Sequence, residues 1–167
     1  MSTTNGTGGN TPGGSRSIKK RSEPPVLGET RELVDNIFKF NSKDQADAYL
    51  RTREKTGEFV GRKYGRYMRT LVLYGKEQVF AEPKPPSKKE IEDSPALLEK
   101  YKVDRSHYKK EKETYEKDKS EVFYILLGQC SVNVKSKLKS DKEWSDLEQN
   151  YDVVALLDKL KEMAFPN

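Results

Sequence analysis

The densest run of residues able to do chemistry is Arg62-Lys63-Tyr64-Gly65-Arg66-Tyr67-Met68-Arg69, where basic side chains interleave with aromatic ones. Guanidinium and ammonium groups neutralise phosphates, and tyrosine rings stack on unpaired bases. Arg62, Lys63, Tyr64, Arg66, Tyr67 and Arg69 are therefore a candidate nucleic-acid contact. The competing reading places Tyr64 and Tyr67 in the core and leaves the arginines to solubilise a turn. The surroundings are lopsided in charge. Residues 51–69 carry seven basic side chains against two acids, Glu54 and Glu58, a local +5, whereas six positive and six negative charges cancel across residues 104–121.

Catalytic signals are thin. His107 is the single histidine and sits among Arg105, Lys109 and Lys110; a general-base role needs a sheltered carboxylate partner, and none is evident, so a solvated position is expected. Cys130 precedes a helix start, which can lower a thiol pKa, yet it has no second cysteine or histidine nearby and reads as a small buried packing residue. The glycines at 6, 8, 9, 13 and 14 neither follow a strand nor open a helix, and no Lys-Ser/Thr pair completes a phosphate loop. Glu111, Glu113 and Glu116 alternate with lysines, which argues against a metal cluster. No catalytic residue, metal ligand, cofactor or small-molecule substrate is assigned, and an enzyme is not expected.

Composition points the same way. Of 167 residues, 33% are hydrophobic and 35% charged, and the mean hydropathy is -0.96. The apolar share is below the ~45–50% usual for soluble domains, which disfavours the large core of most enzymes. No run reaches the ~18 apolar residues of a membrane span, no signal peptide is visible, and Ser2 removes N-myristoylation. A lone cysteine makes no internal disulfide, so a reducing, cytoplasmic setting is expected.

The elements that must position these groups are helical. Residues 1–29, Gly/Ser/Thr/Asn/Pro-rich, read as a disordered tail, with a basic cluster at Lys19, Lys20 and Arg21. Residues 30–167 form the ordered domain. Ile37-Phe38-Lys39-Phe40 is a brief strand or an irregular piece. Ser42 and Gln45 read as a capping box opening a helix with Ala46, Tyr49, Leu50, Arg53, Gly57, Val60 and Tyr64 on its inner face, interrupted at Gly65. Tyr67, Met68, Leu71, Val72 and Leu73 form a second apolar cluster.

Pro83, Pro85 and Pro86 mark an extended linker near 82–87. Ser87 with Glu90, and Ser94 with Pro95, are candidate helix starts. A polar helix over about 104–127 repeats Tyr101, Tyr108, Tyr115 and Val122 every seven residues, but its second heptad position is charged, which weakens a coiled-coil reading. Its tyrosines are expected to pack on a neighbour. Ser131 caps a short helix with Val134 and Leu138 inward, and Trp144 and Leu147 lie three apart. Asp152 caps a last helix whose Val153, Leu156, Leu157, Leu160, Met163 and Ala164 follow helical spacing. The fold class predicted is all-α, a small helical bundle.

The run Val122-Phe123-Tyr124-Ile125-Leu126-Leu127-Gly128-Gln129-Cys130-Ser131, with Lys135-Ser136-Lys137-Leu138 and Tyr151-Asp152-Val153-Val154-Ala155-Leu156-Leu157, resembles the Gag-like region of copia-type LTR retrotransposons. Asp44-Gln45-Ala46-Asp47-Ala48-Tyr49 and Glu58-Phe59-Val60-Gly61-Arg62 also look like that family's N-terminal region. The likeness spans about residues 36–164, and the turn Gly128, Gln129, Cys130 and Ser131 is its most specific part. It implies a capsid-type, self-associating structural protein enclosing element RNA. No Cys-x2-Cys-x4-His-x4-Cys knuckle and no Asp-Ser/Thr-Gly triplet is present, which implies a truncated, solo or domesticated form. Leu156, Leu157, Leu160 and Met163 are the expected core and assembly residues. The expected partners are further copies of the chain and, through the basic residues, RNA, with no membrane; the alternative is a monomeric basic nucleic-acid-binding helical module.

Overall fold

The computed structural model describes residues 27–166. Nearly all of the expected tail, 1–29, and its basic cluster lie outside the described residues. Among the described residues the chain is all-α, with one 3-10 turn, Arg31–Leu33, and helices α1 (Gln45–Tyr64), α2 (Arg66–Tyr74), α3 (Lys88–Asp93), α4 (Ala96–Gly128), α5 (Val132–Lys139), α6 (Trp144–Gln149) and α7 (Val153–Ala164). The Ile37-Phe38-Lys39-Phe40 piece is no strand. It makes one isolated parallel bridge, Phe38 to Cys130.

The capping box at Ser42 does not form. The helix opens three residues later, at Gln45, behind an Asp44 whose side chain caps nothing. The Ser42 hydroxyl bonds the Asp44 carboxylate instead. Asn41, at φ +59°, turns the chain so that its own N–H donates to Gln45 Oε1 at 3.0 Å. Gln45 Nε2 donates to the carbonyls of Met163 and Ala164, 3.2 Å each, satisfying free acceptors at the end of α7. The glutamine thus ties the first helix to the last.

The inner face of α1 is also rotated from the expected one. Ala48, Tyr49, Thr52, Thr56, Gly57, Phe59 and Val60 are buried, while Leu50 is 56% exposed. Two threonines carry that face, and their Oγ1 atoms are buried without a partner among the described residues, so hydrophobic periodicity alone mislocated it.

At Gly65 the backbone takes φ +102° and ψ -176°, a region open essentially to glycine, and α2 folds back along α1. The pair packs closely at Gly61, where a Cβ would lie 2.9 Å from Cβ of Arg69. Arg53 locks the hairpin. Its Nε donates to the Val72 carbonyl near the end of α2, and its Nη1 to the Tyr49 hydroxyl, both at 2.7 Å.

Residues 76–87 run without helix or strand to Ser87, whose hydroxyl accepts from the Glu90 N–H and starts α3. The polar helix is longer than expected. α4 begins at Ala96 rather than near 104, because Pro95 is already set at φ -59° and the Ser94 carbonyl accepts the Leu97 N–H. Its first buried residue is Tyr115, followed by Val122, Phe123, Leu126 and Gly128. A helix of 33 residues is about 50 Å long, so only its second half is in the bundle core. Ser131 and Asp152 cap α5 and α7 as expected, accepting from the N–H groups of Val134 and Ala155. Trp144 and Leu147 turn inward from α6. The core joins α1, α2, the end of α4 and α7, with α5 and α6 closing one side.

Candidate functional site

The 128–131 turn comes out as a structural keystone. Gln129 is fully buried. Its Nε2 donates to the carbonyls of Leu33 (2.5 Å) and Asn36 (2.8 Å), and its Oε1 accepts from the Thr30 N–H at 3.1 Å. Around it the backbone completes the seam: Glu29 N–H to Gly128 carbonyl, Phe38 N–H to Gln129 carbonyl, and Ser131 N–H to Phe38 carbonyl. One amide side chain therefore satisfies the irregular segment before α1. The Cys130 thiol is buried beside it, donates to the Leu126 carbonyl at 3.4 Å, and is pushed up to about 12 by burial. A thiol held neutral at physiological pH is not a nucleophile.

The α7 residues Leu156, Leu157, Leu160 and Met163 all lie in the monomer's own core. Their side chains are therefore taken up internally.

The basic-aromatic run sits at the corner between α1 and α2. Arg62, Lys63, Arg66 and Arg69 are exposed, and none has an ion-pair partner among the described residues. Lys63 lies over the rings of Phe59 and Tyr64, and the Arg66 guanidinium lies 5.2 Å above Tyr67. Tyr67 is 36% exposed, but it is not free: it meets Phe80 and Tyr115 edge to face, with ring centres 5.7 and 6.5 Å apart.

Those rings wall an open groove of about 390 Å³ between the α1–α2 corner, the segment before α3 and the middle of α4, lined also by Tyr64, Met68, His107, Lys110, Glu111, Thr114 and Asp118. A short strap builds one wall. Glu77 accepts from the Tyr115 hydroxyl at 2.8 Å and pairs with Lys119 at 3.0 Å, while the Tyr115 oxygen accepts the Gln78 N–H. Burial pushes the Tyr64 and Tyr115 phenols up, with Glu121 adding to the first and Glu77 to the second. Burial, then Glu121, raises the Asp118 carboxyl. His107 is exposed at the rim, as expected of a solvated histidine.

A second groove, about 340 Å³, opens where α1, the end of α2 and the end of α7 meet, lined by Tyr49, Leu50, Leu73 and Phe165 with Arg53, Glu54 and Lys161. Leu50 and Phe165 are 56% and 44% exposed.

The groove wall formed by Phe80, Tyr115, Lys110 and Asp118 was missed by sequence reasoning. The seven-residue row containing Tyr115 signalled packing, but nothing in the sequence named the corner tyrosine and the linker phenylalanine as its partners. Arg53, expected on the inner face of α1, is spent within the α1–α2 hairpin on the Val72 carbonyl and the Tyr49 hydroxyl. Among the described residues no group of three His, Cys, Asp or Glu side chains could hold a metal ion, and no helix is long and apolar enough to cross a membrane. No protein-family model matches the chain, nor does any curated protein or solved structure.

Proposed function

We propose that the chain is a structural, non-catalytic protein that associates with copies of itself in the cytoplasm, of the Gag-like, capsid-type kind that the 122–131 and 151–157 runs resemble. The observation that carries this reading is the Leu50 groove. The core is complete without it, yet Leu50 and Phe165 remain outside, beside a rim with both Glu54 and the basic Arg53 and Lys161. A mixed-sign rim around apolar side chains is self-complementary. Across a two-fold axis, Glu54 of one copy meets a basic rim residue of the other while the apolar floors are buried together. Sedimentation velocity over a wide concentration range tests it. The s-value is expected to rise with concentration; a strict monomer at high concentration and low salt overturns the reading.

A second reading, a nucleic-acid-binding module, is favoured by the exposed Arg62, Lys63, Arg66 and Arg69 at one corner, free of acidic partners among the described residues. It supports non-specific RNA contact alongside assembly, or in place of it. Single-strand binding should weaken steeply with salt and with glutamate at those four positions; binding indifferent to both removes it.

A further inference from the structure

The aromatic groove and the basic corner are made by one stretch of chain. Arg62, Lys63, Arg66 and Arg69 are exposed on the corner, while Tyr64, Tyr67 and Met68 of the same run line the groove of about 390 Å³ beside it. That volume falls within the ~300–1,000 Å³ of small-ligand clefts. The ring planes of Tyr67, Phe80 and Tyr115 cross at 84°, 72° and 70°. A planar guest stacked on one of them therefore stands edge-on to the other two, an arrangement that aromatic pairs favour. The Arg66 guanidinium, 5.2 Å from the Tyr67 ring centre, joins this wall to the corner, and such a plane also stacks on bases.

The opposite wall, on α4, has the other sign. Lys110 is the one cation lining the groove, against the two carboxylates Glu111 and Asp118. Neither acid has an ion-pair partner among the described residues. Phosphates are thus held off the groove and drawn to the corner, where four cations are unpaired. A nucleobase suits the groove for the opposite reason: it is flat and uncharged, and its edge carries N–H donors that carboxylates accept. Resting on the nucleic-acid reading of the corner, we propose that the groove takes an unpaired base of a single-stranded RNA whose phosphates lie on Arg62, Lys63, Arg66 and Arg69. The site therefore selects a single strand over a duplex. In a duplex each base is covered by its stacked neighbours and its edge is paired, so it enters only after extraction, a cost that an unpaired base does not meet.

Fluorescence anisotropy tests this with the full chain and a labelled RNA dodecamer, alone and annealed to its complement, at matched salt. The single strand is expected to bind at least about fivefold more tightly, the effect of one stacked base. Tyr67→Leu and Phe80→Leu keep apolar bulk but remove ring faces; each should erase most of that preference and leave duplex affinity unchanged. Glutamate at Arg62, Lys63, Arg66 and Arg69 should weaken both forms. Circular dichroism checks the variants. If a leucine variant loosens the fold, spectra of the 15N-labelled native chain decide: on adding the single strand, shifts are expected at Tyr67, Phe80, Glu111 and Asp118 as well as on the corner. Shifts confined to the corner, or salt-dependent binding equally tight for single strand and duplex, overturn the groove proposal and leave the corner reading standing. Binding that ignores the glutamate variant, or no binding at all, removes both.

Discussion

Gln129 shows how much one side chain carries. It is a polar residue at zero exposure, bonded to Thr30, Leu33 and Asn36. Gln129→Leu fills the space but leaves the Thr30 N–H and the Asn36 carbonyl unpaired, each worth ~1–3 kcal/mol when buried, while the Leu33 carbonyl keeps the Asn36 N–H. A loss of about 3 kcal/mol in urea unfolding is expected, with earlier amide exchange across residues 28–38 than in α7. The residue stood out in the sequence as part of a distinctive turn, but its work did not, since its acceptors lie 93 and 96 positions away.

Cys130 beside it makes a pH prediction. Burial raises the folded thiol to about 12 from an ordinary 9.0. Above about pH 9 the unfolded chain loses this proton while the folded chain keeps it, so the unfolded state binds fewer protons and stability falls as pH rises. The slope for this one group approaches ~1.4 kcal/mol per pH unit. The raised phenols of Tyr49, Tyr64 and Tyr115 act in the same direction above pH 10. Between pH 9 and 10, Cys130→Ala should flatten the stability profile; an unchanged slope there would place the thiol in water.

Among the helices, α7 was the most legible. Six inward positions at helical spacing and an Asp152 cap are local signals, and Val153, Leu156, Leu157, Leu160, Met163 and Ala164 are all buried. Leu157→Ala and Leu160→Ala should each cost about 2–5 kcal/mol in denaturant unfolding. The α1–α2 hairpin was only half legible. Gly65 announced a break, but the direction of the turn follows from its φ of +102°, which composition does not reveal. Gly65→Ala puts a Cβ where the backbone excludes it and should cost about 1–3 kcal/mol. Comparable stability of the variant would mean that the hairpin relaxes to another turn. The start of α1 misled for a different reason. Ser42 and Gln45 have capping-box spacing, but the open carbonyls of α7 and the left-handed Asn41 compete for Gln45 and win.

At the scale of the molecule, the core closes around α1, α2, the end of α4 and α7, and what remains outside has to account for function. Leu50 is the sharpest probe. Exposed and outside the core, it should tolerate Leu50→Arg within about 0.5 kcal/mol of native stability, while the concentration dependence of sedimentation is lost. If association survives that change, the groove at α1 and α7 is not the interface. The helical class, the caps at Ser87, Ser131 and Asp152 and the inward face of α7 were determined by the sequence on its own, because each rests on residues within about two turns of one another. The shape of the aromatic groove, the burial of Gln129, the recruitment of Arg53 into the hairpin and the exposure of Leu50 were decided only in the tertiary structure. Each depends on contacts between distant segments, where packing and hydrogen-bond competition outweigh local preference.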